Sequence, residues 1–239
     1  KVTIKVSFTG LDDVAGPTTT QQITVANGTT TTPKPTTTTP KPPADAIMGG
    51  QGYRSGSTGD KPCSFGFNAV DGNGDLVNIT AGHCDPRPKD NEPTAENVTL
   101  GDTYLGAFVD KTVHDGDYTF IKIDGSVASR FKNNFVDTYG GDPVRITGTA
   151  EPVVGAPVCK SGQTSGYTCG VITTADDSTF TAKLCSIPGD SGGAMVTGTK
   201  ALGILYAGSE WDCTPNKQTY GQQIKSILEA NPGLKINTK

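Results

Sequence analysis

After residue 44 the chain alternates apolar and polar positions over short runs, at the two-residue period of half-buried strands. The clearest runs are 64–70, 76–80, 104–108, 118–123, 144–147, 170–173, 179–184, 194–197 and 201–205, with Gly, Asn and Asp turns between them. That spacing predicts an all-β chain of two small antiparallel barrels. Helical periodicity is confined to 222–230, where Ile224, Ile227 and Leu228 share a face and Asn231-Pro232 ends the turn.

Before residue 44 the pattern changes. Residues 29–43 are an imperfect Thr/Pro repeat that has no side chains to bury, so they read as an extended linker reaching up to about 45 Å. Ahead of it, residues 1–8 alternate like a strand and 21–25 offer a pairing partner. About 28 residues are too few for a core of their own, so this piece reads as a remnant of a pro-region or an upstream domain. The chain opens with neither Met nor signal peptide, which reads as processing or truncation. The expected organisation is 1–28, a linker 29–43, and one functional domain 44–239.

Composition narrows the function classes. The 239 residues are 33% hydrophobic and rich in glycine, with 31, as a loop-rich β protein is. A net charge of −4 and no basic cluster argue against nucleic acid. No apolar run approaches the ~20 residues of a membrane span. The six cysteines, at 63, 84, 159, 169, 185 and 213, show no C-x-x-C spacing, so a zinc or thioredoxin-like site is not expected. An even number at wide gaps reads as disulfides, and hence as a secreted or surface protein; their pairing stays open from spacing alone. Asp71-Gly72-Asn73-Gly74-Asp75 imitates a calcium loop, but Leu76 stands where that loop needs Gly and Gly82 where it needs Glu. It reads as a hairpin turn, and no metal or cofactor is expected.

Two segments carry chemistry. In Gly189-Asp190-Ser191-Gly192-Gly193 the glycines let the backbone bend sharply around a serine and leave bare N–H groups beside its hydroxyl. A serine needs a base, and the chain has two histidines, His83 in Thr80-Ala81-Gly82-His83-Cys84 and His114 in a polar turn. Both precede Ser191, which excludes the α/β-hydrolase order despite the G-x-S-x-G match. The subtilisin order would need long amphipathic helices, which are missing. For the orienting acid, Asp117 stands at the mouth of the strand run 118–123, whereas Asp115-Gly116 reads as a turn.

With these segments in this order, the chain resembles serine endopeptidases of the chymotrypsin clan, in its bacterial streptogrisin and α-lytic branch. The likeness runs from about 47 to 234 and is specific around His83, around Ser191 and in Val158-Cys159-Lys160-Ser161-Gly162. It implies chymotrypsin-like six-stranded-type barrels with a C-terminal helix, a monomer, and a peptide or protein substrate. Catalytic residues would be Ser191, His83 and Asp117, and the oxyanion hole the N–H groups of Gly189 and Ser191. It also implies the disulfides Cys63–Cys84, Cys159–Cys169 and Cys185–Cys213.

Substrate-binding walls are expected at Ser186, Ile187, Pro188, Tyr206, Ala207, Gly208 and Tyr220. Position 185, an aspartate in trypsin-like relatives, is a cysteine, so the reading favours apolar P1 residues. A buried Asp190 needs a cation. The candidates are Lys160 and an α-amino group at Ile47, and the resemblance favours Lys160. The chain departs from the family at Tyr206, where a serine usually supports the catalytic aspartate; Asp117 must then lean on backbone N–H groups near His83. The rival reading, a protease fold serving as a binding module without turnover, draws on Tyr206 and the Thr/Pro segment.

Overall fold

The chain divides at Pro40, and the computed structural model describes the unit Lys41–Lys239 apart from 57–58, 60, 88–95, 110–115, 209–212 and 214–216. The strand readings at 1–8 and 21–25, and His114 and Asp115, therefore lie outside the described residues.

The first half contains β1 (Gly52–Ser55), β2 (Lys61–Ser64), β3 (Phe67–Val70), β4 (Leu76–Thr80), β5 (Asn97–Leu100), β6 (Thr103–Phe108) and β7 (Thr119–Ile123). A short helix, α1 (Ala128–Phe131), and a small ribbon of β8 (Phe135–Val136) and β9 (Val144–Arg145) lead across to the second half. There follow β10 (Gly148–Thr149), β11 (Pro157–Gly162), β12 (Gly166–Ala175), β13 (Thr179–Lys183), β14 (Ala194–Thr197), β15 (Lys200–Gly208), β16 (Thr219–Gln223), helix α2 (Ile224–Ala230) and β17 (Lys235–Ile236).

The second sheet closes. Its order β15-β14-β11-β12-β13-β16 returns on itself through β15–β16 pairing, a six-stranded barrel with β10 added in parallel to β15. The first is an eight-stranded sheet, β17-β3-β4-β7-β6-β5-β1-β2, whose ends do not pair with each other. The expected pair of barrels is thus one closed barrel and one open one. The last strand crosses back to the first sheet, pairing Ile236 with Ala69, so the two halves are tied at the C-terminus.

Burial follows this topology. One core fills the first sheet (Tyr53, Phe65, Leu105, Phe108, Ile121, Phe131) and another the second (Val158, Ile172, Phe180, Leu202, Leu205). A third cluster, with Ile79, Val136, Ile146, Val196, Ile204, Ile224 and Ile227, draws on both. The halves share this apolar seam, and helix α2 buries the two isoleucines that its periodicity marked.

Strand β4 is central to the first sheet and loses polar–apolar alternation, being buried on both faces. Its Asn78 is fully buried but satisfied, donating to Asn68 Oδ1 at 2.9 Å and accepting from Gly66 N–H at 3.1 Å. Asn78 opens an Asn-Ile-Thr sequon, and its burial puts it out of reach of a glycan. The predicted run 64–70 divides into β2 and β3 because Gly66 lies against β4: a Cβ there would come within 2.2 Å of the Ile79 carbonyl oxygen. At the predicted turn, Asp71 Oδ1 accepts from the N–H groups of Asn73 and Asp75 at 2.9 and 2.8 Å. That carboxylate oxygen is used in closing the hairpin.

Candidate active site

Strand β4 ends at Thr80 and the chain turns at once into a single 3-10 turn, Gly82–Cys84. Cys84 is fixed by the disulfide to Cys63 on β2 and by Ser55 Oγ donating to its carbonyl at 2.8 Å. His83 is thereby held at the seam. Its neighbour β7 pairs Thr119 with Thr80, so Asp117, two residues earlier, arrives beside the histidine. Asp117 Oδ2 lies 2.6 Å from His83 Nδ1, and Oδ1 accepts the His83 backbone N–H at 2.7 Å. Gly82 leaves the room for this: a Cβ there would sit 2.9 Å from Asp117 Oδ1.

Burial by itself raises the Asp117 pKa. The hydrogen bond and charge of His83, with the backbone N–H groups of His83 and Gly82, outweigh it and hold the carboxyl below its ordinary range. Among the described residues, the Tyr206 hydroxyl makes no hydrogen bond to Asp117. Its ring stacks loosely with Tyr220, centroids 6.2 Å apart. Burial first, then the Asp117 charge, push the Tyr206 phenol up.

The serine loop is shaped by glycine. Gly189 and Gly192 have φ of 99° and 85°, in the left-handed region that L side chains rarely adopt. A Cβ at Gly192 would also come within 2.0 Å of Thr80 Oγ1. Ser64, buried on β2, staples this loop to the first sheet. Its N–H donates to the Ser191 carbonyl at 2.7 Å and its Oγ to the Gly189 carbonyl at 2.8 Å. Gln163 Nε2 adds a bond to the Cys63 carbonyl at 2.7 Å. With the loop's carbonyls so occupied, the N–H groups of Gly189 and Ser191 donate to no acceptor among the described residues.

Beneath the loop Asp190 is fully buried, 3.2 Å from the equally buried Lys160 ammonium. Its Oδ1 accepts from the N–H groups of Thr164 and Ser165 at 2.9 and 3.0 Å, and Oδ2 from Ile187 N–H at 3.0 Å and from the Ser165 hydroxyl. Lys160 also donates to the Gly166 carbonyl at 2.8 Å and to Ser165 Oγ. Ile47 is elsewhere engaged, its backbone N–H donating to the Arg130 carbonyl at 2.8 Å.

A cleft of about 760 Å³ runs past these groups, lined by Lys61, Pro62, Cys63, His83, Ser186, Ile187, Pro188, Gly189, Ser191, Leu205 and Gly208. Of the predicted walls, Ser186, Ile187, Pro188 and Gly208 line it. Tyr206 and Tyr220 form their ring pair instead, and Ala207 is half-buried in β15 outside the lining. His83 and Ser191 share the cleft without a hydrogen bond between ring and hydroxyl, a contact that often tightens only around substrate. Sequence reading missed Ser64, Gln163, Ser165 and Lys61. Only Ser64 had a signal, its place next to Cys63 in the segment that the disulfide ties to His83. The remaining disulfides are Cys159–Cys169, across β11 and β12, and Cys185–Cys213. Cys63, Cys84 and His83 cluster within 4.8 Å, but both sulfurs are spent in a disulfide and offer no thiolate to a metal.

The two site carboxylates set an acid limit. Asp190 is pushed up by burial, but Lys160 and the hydrogen bonds from Ser165 and Ile187 overcome this and hold it below the usual range, as with Asp117. A carboxyl with a depressed folded pKa contributes stability that is fully present above the unfolded value of about 3.9 and lost as pH falls through the folded one. The site is therefore expected to keep its near-UV circular dichroism down to about pH 4 and to lose it at lower pH. A loss centred above about pH 5 would contradict the ion pair.

No family model matches the chain. Glutamyl endopeptidase 2 of Streptomyces griseus is 33% identical over 174 residues, covering 68% of this chain and 85% of that protein. Streptogrisin-C of Streptomyces griseus is 31% identical over 194 residues, which cover 77% of this chain but 40% of the relative's own length. The chain thus spans less than half of that longer relative. Among solved structures, Cellulomonas bogoriensis chymotrypsin superposes with a TM-score of 0.64 at 30% identity, covering 81% of this chain and all of the other. A closed and an open barrel meeting at a shared apolar seam, and likenesses of this extent, lead to one assignment: the chain belongs to the bacterial chymotrypsin-like serine proteases.

Proposed function

We propose that the chain is a secreted serine endopeptidase, with 44–239 as its catalytic domain and 29–43 as a linker. The observation that carries this is the His83–Asp117 pair on the lip of a cleft that also holds Ser191 and the uncommitted N–H groups of Gly189 and Ser191. Ser191 Oγ attacks the scissile carbonyl carbon while His83 Nε2 takes its proton. The carbonyl oxygen becomes an oxyanion held by the Gly189 and Ser191 N–H groups, each such donor contributing about 10²–10³ in kcat. The C–N bond breaks as His83 returns the proton to the leaving amine, and an acyl-enzyme remains. Water then repeats the sequence from the other side and frees Ser191. Asp117 keeps the ring oriented and stabilises its cation.

Past Leu205, whose N–H and carbonyl bond to the Gly192–Gly193 loop, the edge of β15 that faced β14 has no strand partner among the described residues, which leaves Tyr206–Gly208 to pair with an extended peptide. Three disulfides suit an oxidising compartment, and no described helix is long and apolar enough to cross a membrane. The binding-module reading has less support, because a module has no need of an imidazole bonded to a carboxylate beside bare loop N–H groups.

Ser186, Ile187, Pro188, Leu205 and Gly208 give the acyl side of the cleft an uncharged wall. A peptide library is expected to be cleaved best after apolar P1 residues. Best cleavage after Arg or Lys, or after Glu as the name of the glutamyl relative would have it, contradicts this pocket assignment.

A further inference from the structure

Of the residues lining the cleft, two carry a charge or can acquire one: His83 and Lys61. The proposed reaction uses the first and leaves the second without a role. We propose that Lys61 makes the leaving-group side of the cleft a subsite for acidic residues, so that the enzyme prefers Asp or Glu just after the scissile bond. This rests on the endopeptidase reading.

The position of Lys61 follows from the fold. It begins β2, whose Cys63 is cross-linked to Cys84, and its ammonium donates to the His83 carbonyl. The lysine therefore moves with the turn that carries the base. An ammonium has three donors. One is used on His83, and among the described residues no carboxylate pairs with the rest. The acyl half of a substrate occupies the uncharged wall of Ser186–Gly189 and the free edge of β15. The amine half must then leave past His83, which hands it a proton, and over Lys61, Pro62 and Cys63. Among the described residues that line this half, Lys61 is the one standing charge besides the base His83 itself, so a carboxylate there meets a cation, while a substrate Lys or Arg meets repulsion.

Such a half-exposed pair contributes modestly and is screened by salt, so the expected preference is about 5–10-fold in kcat/KM. The lysine acts on binding and encounter, so the preference should lie in KM and not in kcat.

The test uses the full chain and internally quenched peptides with one apolar P1 residue and Glu, Gln or Lys at P1′ and P2′. The ratio of Glu to Gln peptide is read within each variant, at low and at 0.5 M salt. Wild type is expected to give about 5–10 at low salt, falling towards unity at high salt. Lys61→Met should bring the ratio to unity, and Lys61→Glu should invert it in favour of the Lys peptide. A wild-type ratio of unity with brisk hydrolysis overturns the inference and leaves the endopeptidase reading standing, as does a preference that survives Lys61→Met. Failure of folded wild type to cleave any peptide overturns both.

Discussion

Asp117→Asn is expected to lower kcat by about 10⁴-fold while leaving the fold and KM little changed. Asp117 faces two donors at once, the His83 backbone N–H on Oδ1 and the His83 ring Nδ1 on Oδ2. An asparagine has one acceptor to offer. If its oxygen keeps the backbone N–H, its NH₂ faces Nδ1 and forces that nitrogen to accept. The ring proton then sits on Nε2, and the imidazole has no lone pair for the Ser191 hydroxyl. The Tyr206 hydroxyl makes no bond to Asp117, so besides His83 the aspartate leans on the Gly82 N–H. The variant's kcat, measured with an unchanged circular dichroism spectrum, checks this. A fall of less than tenfold would mean that Asp117 does not set the tautomer.

The second large effect is on stability. Lys160→Met leaves the Asp190 carboxylate fully buried without its cation, a change that costs about 3–5 kcal/mol when one partner of a buried pair is removed. The loop that presents Ser191 hangs on Asp190, through the Ile187 N–H on its carboxylate and the Gly193 N–H on its carbonyl. Thermal unfolding should shift down and activity should fall with it. The double variant Lys160→Met with Asp190→Asn should recover part of the loss, because charge and counter-charge leave together. Burial lowers the Lys160 pKa, and the Asp190 charge opposes this, as for an ammonium held in place by its partner. Activity should also be indifferent to residues added ahead of Ile47. Activity that appears only on cleavage before Ile47, and survives in Lys160→Met, would reverse the assignment.

Much of this site was legible because the informative residues are local in sequence. Gly189 to Gly193 need their glycines for positive φ and close approach, and Thr80 to Cys84 couples a strand end to a disulfide. Helix α2 announced itself through Ile224 and Ile227, each completely buried. Strands whose neighbours lie on both sides were harder to read. β16 carries Tyr220, Gly221, Gln222 and Gln223 in a row without alternation, and it exists because β13 and β15 flank it. β1 and β11 were hidden in the same way by glycine or by charged and small residues, whereas β5 alternates but is only four residues long.

Long-range polar contacts left little trace in sequence. Ser64 reaches the Gly189 carbonyl from 125 residues away, and Gln163 and Ser165 reach Gly189 and Asp190 from 26 and 25 residues away. Apart from the place of Ser64 next to Cys63, nothing in their own neighbourhoods required it. The cleft lining shows the same limit: Tyr206 and Tyr220 are wall-forming residues by resemblance, yet here each ring has the other to pack on. Lys61 escaped notice because a lone lysine at a strand start is ordinarily a solvated charge.

The most direct test of the central claim is covalent. A fluorophosphonate probe reacts with a serine hydroxyl only where a base has activated it and N–H donors stabilise the charge on phosphoryl oxygen. Labelling of the folded chain is expected to be stoichiometric, to map to Ser191, and to vanish in Ser191→Ala and His83→Ala. Absence of labelling in correctly folded, disulfide-bonded wild type, or labelling that persists in Ser191→Ala, would contradict the assignment of a working nucleophile at Ser191.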